Sequence, residues 1–416
     1  MTTRGLLVLC FGLLPLSGVY ADESLGDSSQ NLARPLSYRF GQEFLIDSNI
    51  LRLPDGQPVP LAYLGKGRGD TVYRTYGGIS YANIIANQNL QVDLNLEIRQ
   101  YANFSSLSRN SIGLSGSIGG DLDRAWYYDV SLTASDTAGD FVNQNGLDAN
   151  TLRSLGVSTR LGYRFTPTWS TYGVLRASQR INSAQSLSSA DTSQNSLEVG
   201  LRFDPGSGIN AELGLSHRNV DYTNRQTFDA LGNRLPLRVS NSFTSDQIVG
   251  RVNYQPTGQS KLTGSVGLGS TRLDELTQRN ASSFLFGFDY RYVFSGLAEM
   301  GVQVSRDLAG DALSFSSPVI GTRVGVDATW RPTGRLALTG ELKTNSRRFS
   351  SDPSVVLGTN ILNADKVLTT SLVAQYEFSR TIRMVGGFTR QSRESDSKNF
   401  VFTSNAISLG IVVNLD

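Results

Sequence analysis

Groups able to do covalent chemistry are scarce in this chain. Its one histidine, His217, stands between Ser216 and Arg218 and shortly before Asp221. Hydroxyl, imidazole and carboxylate are the parts of a nucleophile, base and orienting acid, but closeness along a chain is not triad geometry. A hydrolase embedded in the fold is therefore a minor alternative, and no enzymatic activity is expected. A single histidine excludes a multi-histidine metal site. The only cysteine, Cys10, lies in a segment expected to be removed, so neither disulfide nor cysteine-bound metal is foreseen. Glycine-rich pieces such as Gly206-Ser207-Gly208 read as turns, because no strand-to-helix phosphate cradle follows them. No cofactor is implied.

The sequence instead carries charge at regular spacing. From Leu90 to Arg99 every second residue is aliphatic (Leu90, Val92, Leu94, Leu96, Ile98), with Gln91, Asp93, Asn95, Glu97 and Arg99 between. Side chains of a strand alternate between faces, so such a segment needs an apolar medium on one side and water on the other. The same alternation recurs in about eighteen segments, each long enough to cross a bilayer when tilted. The parity opposite the apolar stripe forms an inner wall: Asp93, Glu97, Arg99, Asp129, Arg160, Arg164, Glu198, Arg202, Glu212, Arg251, Asp289, Arg291, Arg323, Asp327, Glu341, Lys343, Glu377 and Arg383. Both signs interleaved with Ser, Thr, Asn and Gly suit a hydrated polar passenger. Acid–base pairing across strands is the plainer role for each of them.

These residues must be held by an all-β architecture, a transmembrane antiparallel up-and-down β-barrel. Residues 1–21, with Arg4, an apolar run and the ending Val19-Tyr20-Ala21, have the layout of a cleaved secretory signal. Residues 22–35 are a polar periplasmic lead and 36–416 the barrel. Mean hydropathy is −0.19 and the hydrophobic fraction 39%, as expected when lipid-facing and lumen-facing residues cancel in any averaging window. Without Arg4 the chain holds 37 basic against 36 acidic residues, near neutrality, so no nucleic-acid partner is implied.

Eight short connections (near 85–89, 120–124, 166–168, 204–208, 255–259, 295–296, 331–335 and 379–381) alternate with nine longer polar ones, which together join 18 strands. An even count puts both ends on the periplasmic side. Aromatic residues gather at the short turns: Trp126, Phe165, Trp169, Phe203, Tyr254, Phe294, Trp330 and Phe378. Amphipathic rings collect at the membrane–water boundary, so these read as a periplasmic girdle. Pro167, Pro205, Pro256 and Pro332 occupy four of the same turns, where a fixed φ helps and no ladder donor is lost. The longer connections lean basic, with Arg52, Lys66, Arg68, Arg272 and Arg347 among others, and could meet lipopolysaccharide phosphates or stay solvated.

The stretch Ile46-Asp47-Ser48-Asn49-Ile50-Leu51-Arg52-Leu53-Pro54-Asp55, followed by Arg68-Gly69-Asp70-Thr71, resembles the start of EpsL-like outer-membrane β-barrel proteins, a porin family associated with exopolysaccharide biosynthesis and export. The resemblance implies an outer-membrane conduit for a secreted polysaccharide, with periplasmic export components and outer-membrane lipid as partners. The chain departs from many outer-membrane barrels in ending Val412-Val413-Asn414-Leu415-Asp416 instead of on an aromatic residue, which bears on its insertion. The alternative is a general or substrate-specific diffusion porin for small polar solutes. That reading expects an inward-folded constriction loop, for which 221–245 is the candidate, although it holds more arginine than acid.

Overall fold

A computed structural model describes residues 35–60, 63–139, 149–223, 242–274, 280–309, 319–349 and 364–415. The expected signal segment, and the polar lead as far as residue 34, lie outside the described residues. Eighteen strands are present among those described. They are β1 (Leu36–Asp47), β2 (Asp70–Ile85), β3 (Gln88–Tyr101), β4 (Arg109–Asp121), β5 (Trp126–Ala138), β6 (Thr151–Arg164), β7 (Trp169–Asn182), β8 (Thr192–Phe203) and β9 (Ile209–Tyr222). The second half holds β10 (Phe243–Thr257), β11 (Ser260–Leu273), β12 (Ala281–Ser295), β13 (Ala298–Ala309), β14 (Val319–Thr333), β15 (Leu336–Phe349), β16 (Ala364–Glu377), β17 (Ile382–Ser395) and β18 (Phe402–Leu415). Each strand pairs antiparallel with its sequence neighbours, and β1 pairs with β18 from Tyr38 opposite Leu415 to Asp47 opposite Ala406. The ring closes, which leaves no strand edge with unpaired amides.

The two rims differ. One carries the short connections at 86–87, 122–125, 165–168, 204–208, 258–259, 296–297, 334–335 and 378–381. One of the four two-residue turns, Ala86-Asn87, has φ of 48° and 68°, a left-handed pair that lets a two-residue hairpin follow the strand twist. In the turn at 122–125, Asp123 accepts from the backbone N–H of Ala125 and of Trp126, each at 2.7 Å. These two donors hold its carboxyl below the usual carboxylate range.

Parity decides the faces. On β3, Val92, Leu96 and Ile98 are exposed, whereas Asp93 and Tyr101 on the other parity are buried. The same alternation runs round the ring, leaving Leu155, Val157, Leu175, Leu213, Leu268, Leu372 and Leu409 exposed on the convex side. Trp126, Phe165, Trp169, Tyr254, Phe294, Trp330 and Phe378 are exposed at the short-turn rim. Trp169 there rests against Phe203 and Trp126 against Tyr163, with ring centroids 4.9 Å apart in both pairs. A sealed cylinder coated with aliphatic side chains and ringed by aromatics at one rim has the surface of an integral β-barrel of the bacterial outer membrane. Lipid satisfies its outer face, and the short-turn rim is the periplasmic one.

Buried apolar residues sit inside the other rim. Val72, Tyr101 and Leu45 face inward there and are covered by Ile50, Leu51 and Leu53 of the first outer connection (48–69) and by Phe104 and Leu107 of the second (102–108). Val220, Tyr222, Phe243 and Leu273 form a second cluster on β9–β11, and Val367 with Phe402 a third. The first connection thus differs from the solvated polar loop that its prolines and glycines suggest. Its three aliphatic side chains fold back into the barrel mouth, because burial there removes them from water.

Candidate functional site: the barrel lumen

The concave face is identified by contacts that leap over strands. Arg160 of β6 donates to Glu212 of β9 at 2.8 and 3.2 Å, across the intervening β7 and β8. Only side chains pointing to the inside of the curve can meet in this way. Register then places Asp93, Glu97, Arg99, Asp129, Arg160, Arg164, Glu198, Arg202, Glu212, Arg251, Asp289, Arg291, Arg323, Asp327, Glu341, Lys343, Glu377 and Arg383 on that same parity.

The wall is uneven. On β6–β10 the ions interlock. Arg251 forks onto Glu198 at 2.5 and 3.0 Å, Tyr172 donates its hydroxyl to the same carboxylate at 3.0 Å, and Arg176 approaches it at 3.3 Å. Glu212 lies 3.6 Å from Arg251, and the Arg160 guanidinium stacks 4.4 Å from the Tyr172 ring centroid. Glu198 keeps only 1% of its surface, so its charge depends on these donors in place of water. A glycine permits the arrangement: a Cβ at Gly200 would lie 2.7 Å from the Tyr172 hydroxyl, so any larger residue would displace the ring. Gly162 accommodates Tyr127 of β5 in the same manner. A smaller network joins Glu43, Arg74, Glu97 and Arg99 on β1–β3. Arg164 pairs with Asp121 at 2.6 Å near the periplasmic rim.

The wall formed by β12–β15 is wet. Arg291 and Lys343 keep 45% and 50% of their side-chain surface, although both carry the inward parity. Their partners are loose or local: Arg291 reaches Asp327 at 3.5 Å, and Lys343 meets Glu341 on its own strand. Asp289 is exposed as well, as is Glu377 at the end of the adjoining β16. Water therefore reaches this side of the lumen.

The mouth is fastened by Arg52, which sits in the first outer connection with φ of 53°, a strained backbone for arginine. Its guanidinium donates to Asp47 at 2.8 Å, to the Gln391 amide oxygen at 3.0 Å and to Ser404 at 3.1 Å, all on the inward faces of β1, β17 and β18. Nearby, Asp365 is gripped by Arg347 and Arg393, with closest contacts of 2.5 Å to each. Sequence reading missed Arg52 in this role because no periodicity extends into a loop. Arg74, Tyr172 and Tyr127 it could have found, since each lies on the polar parity of its strand.

His217 faces the other way. Its parity on β9 is convex, whereas Ser216 and Arg218 point into the lumen. The carboxylate it meets is that of Asp246, which accepts from Nδ1 at 2.7 Å. Asp221 is not its partner, and Ser270 lies opposite Asp246 on the side away from the ring. A serine–histidine–acid relay is not assembled. Of the suggested constriction loop, residues 224–241 lie outside the described residues, and Asp221 and Ser245 belong to β9 and β10.

No protein-family model and no curated protein matches the chain, so the EpsL-like resemblance of the first hairpin gains no support. Among solved structures, the outer membrane protein OpdK from Pseudomonas aeruginosa is similar at 12% identity and a TM-score of 0.46, over 91% of this chain and 99% of its own. OccK2 (OpdF) from the same organism, solved in complex with glucuronate, gives 10% identity, a TM-score of 0.47, and 91% and 98% coverage. Copper transporter OprC gives 8% identity and a TM-score of 0.43 over 88% of this chain, which spans only 62% of that protein's length. The likeness is one of barrel architecture.

Proposed function

We propose that the protein is a porin-like passive channel that admits small, charged or strongly polar solutes across the outer membrane. The observation carrying this reading is the wet wall of β12–β15, where inward Arg291 and Lys343 stay about half open to water inside a cylinder that is apolar outside. A hydrated path lined by both signs of charge lowers the cost of moving a polar solute past hydrocarbon. The first connection, held in the mouth by Arg52, narrows the entrance. Narrowing suits discrimination among small solutes better than passage of a polymer, so polysaccharide export is the weaker reading.

Single-channel recording of the refolded protein in planar bilayers tests this. Steady ohmic conductance is expected from the wild type, and a severalfold larger, noisier conductance from Arg52→Ala, which loses its bonds to Asp47, Gln391 and Ser404. Absence of conductance from both, with loss of surface polysaccharide in a deletion strain, would favour export instead.

A further inference from the structure

The lipid-facing side of β8–β12 carries a cleft of about 720 Å³ that the channel reading does not use. Its floor is hydrocarbon: Leu197, Val199, Leu215, Ile248, Leu268 and Phe284, all exposed on the convex parity. At its outer end the apolar band is broken by an ionisable pair, His217 and Asp246, whose side chains keep 60% and 52% of their surface. The step from Ile209 to His217, or from Tyr254 to Asp246, equals that from Tyr163 to Leu155 on β6, where a leucine stands at this height. Charged groups on the lipid face of a barrel are costly, and their presence there points to a task.

Register sets out what surrounds the pair. His217, Asp246, Ser270 and Ser282 lie in one row across β9–β12, where the two small serines leave the depression. One outward position nearer the loops, Arg272 of β11 is exposed and forms no ion pair among the described residues, with Thr244 and Asn219 in the same row. Asp246 occupies the Nδ1 edge of His217, so Nε2 is the edge left for a ligand. There it accepts from a hydroxyl or, carrying a second proton, donates to an anionic oxygen. From β9 to β11 the backbone spacing is roughly 10 Å, within the span of a bulky lipid headgroup.

We propose that this cleft is a docking site for a phosphorylated, acylated glycolipid of the outer leaflet. One acyl chain lies along the leucine floor, and headgroup phosphate and hydroxyl groups meet Arg272 and His217. The hydrocarbon floor is continuous with the membrane-facing band, which commits the occupant to a lipid. Arg272 supplies the charge complement to phosphate, and Asp246 holds the ring in place. Arg272 stands just beyond the cleft lining on the loop side, and Asp221 and Asp274 lie one outward position further toward the loops.

The test refolds the full chain in detergent with diphosphoryl lipid A or its dephosphorylated form. Lipid retained after size-exclusion chromatography is then counted by mass spectrometry. Stoichiometric retention of the phosphorylated lipid is expected for the wild type. His217→Ala and Arg272→Ala each lower it about tenfold, the effect of one charge-assisted hydrogen bond. Ser270→Phe, or Ser282→Phe should the first variant not fold, fills the depression and abolishes retention, while single-channel conductance stays at the wild-type value. Equal retention by every variant, equal retention of the dephosphorylated lipid, or disulfide-linked pairs of the Ser270→Cys chain marking this face as a contact between copies would overturn the proposal.

Discussion

Glu198→Ala is expected to destabilise the barrel by about 3–5 kcal/mol, the usual cost of removing one member of a buried ion network and stranding the others. Glu198 holds the Arg251 fork, the Tyr172 hydroxyl and Arg176 together, and its own carboxylate is almost fully covered. Without it Arg251 loses both bonds of its fork and keeps the 3.6 Å approach to Glu212, and the Tyr172 hydroxyl loses its acceptor. Glu198→Gln keeps an acceptor for Tyr172 and should lose less. The double variant Glu198→Leu with Arg251→Met should recover much of the difference, because it removes both charges together. Urea unfolding of the refolded protein in lipid vesicles measures all three. A Glu198→Ala midpoint equal to that of the wild type would mean that the β6–β10 wall is solvated and its ion pairs contribute nothing.

Leu175→Arg carries the second large effect. Leu175 lies at the middle of β7 on the convex parity, 61% exposed among other aliphatic side chains. An arginine at the bilayer midplane of a barrel costs roughly 2–4 kcal/mol. The same substitution at Ser115 of β4, on the inward parity opposite Asp93, should change stability by no more than about 0.5 kcal/mol, as at other solvated positions. Equal costs at the two sites would remove the distinction between a lipid face and a water face.

The alternation that makes these two positions different is written in the sequence. From Leu90 to Arg99 it marks the strand and its faces, although β3 runs longer, from Gln88 to Tyr101, and the turns with Pro167 and Pro205 divide the chain into hairpins, whereas Pro256 and Pro332 fall at the bulged ends of β10 and β14 instead of in the turns themselves. Parity also separates Glu198 and Arg251 from the leucines around them. Their pairing is not legible, because Arg251 meets Glu198 and Arg160 meets Glu212 only once the register of every intervening hairpin is fixed. Loops hide more. Ile50, Leu51 and Leu53 look like a short apolar interruption in a polar connection, and nothing local announces that they fold into the mouth with Arg52 as the fastening. For His217 the neighbours in sequence mislead. Alternation sends Ser216 and Arg218 to the opposite side of the wall, and the true partner, Asp246, comes from the next strand.

The most direct test of the account is residue-by-residue accessibility along β3. Single cysteines at Leu94, Asn95, Leu96, Glu97 and Ile98, in a Cys10→Ser background and refolded into vesicles, are exposed to a small charged thiol reagent. In parallel they carry a fluorophore quenched by brominated acyl chains. The account predicts strict alternation, with positions 95 and 97 labelled from water and positions 94, 96 and 98 quenched by lipid. Uniform labelling, or uniform protection, along the five positions would contradict a wall with hydrocarbon on one side and a hydrated lumen on the other.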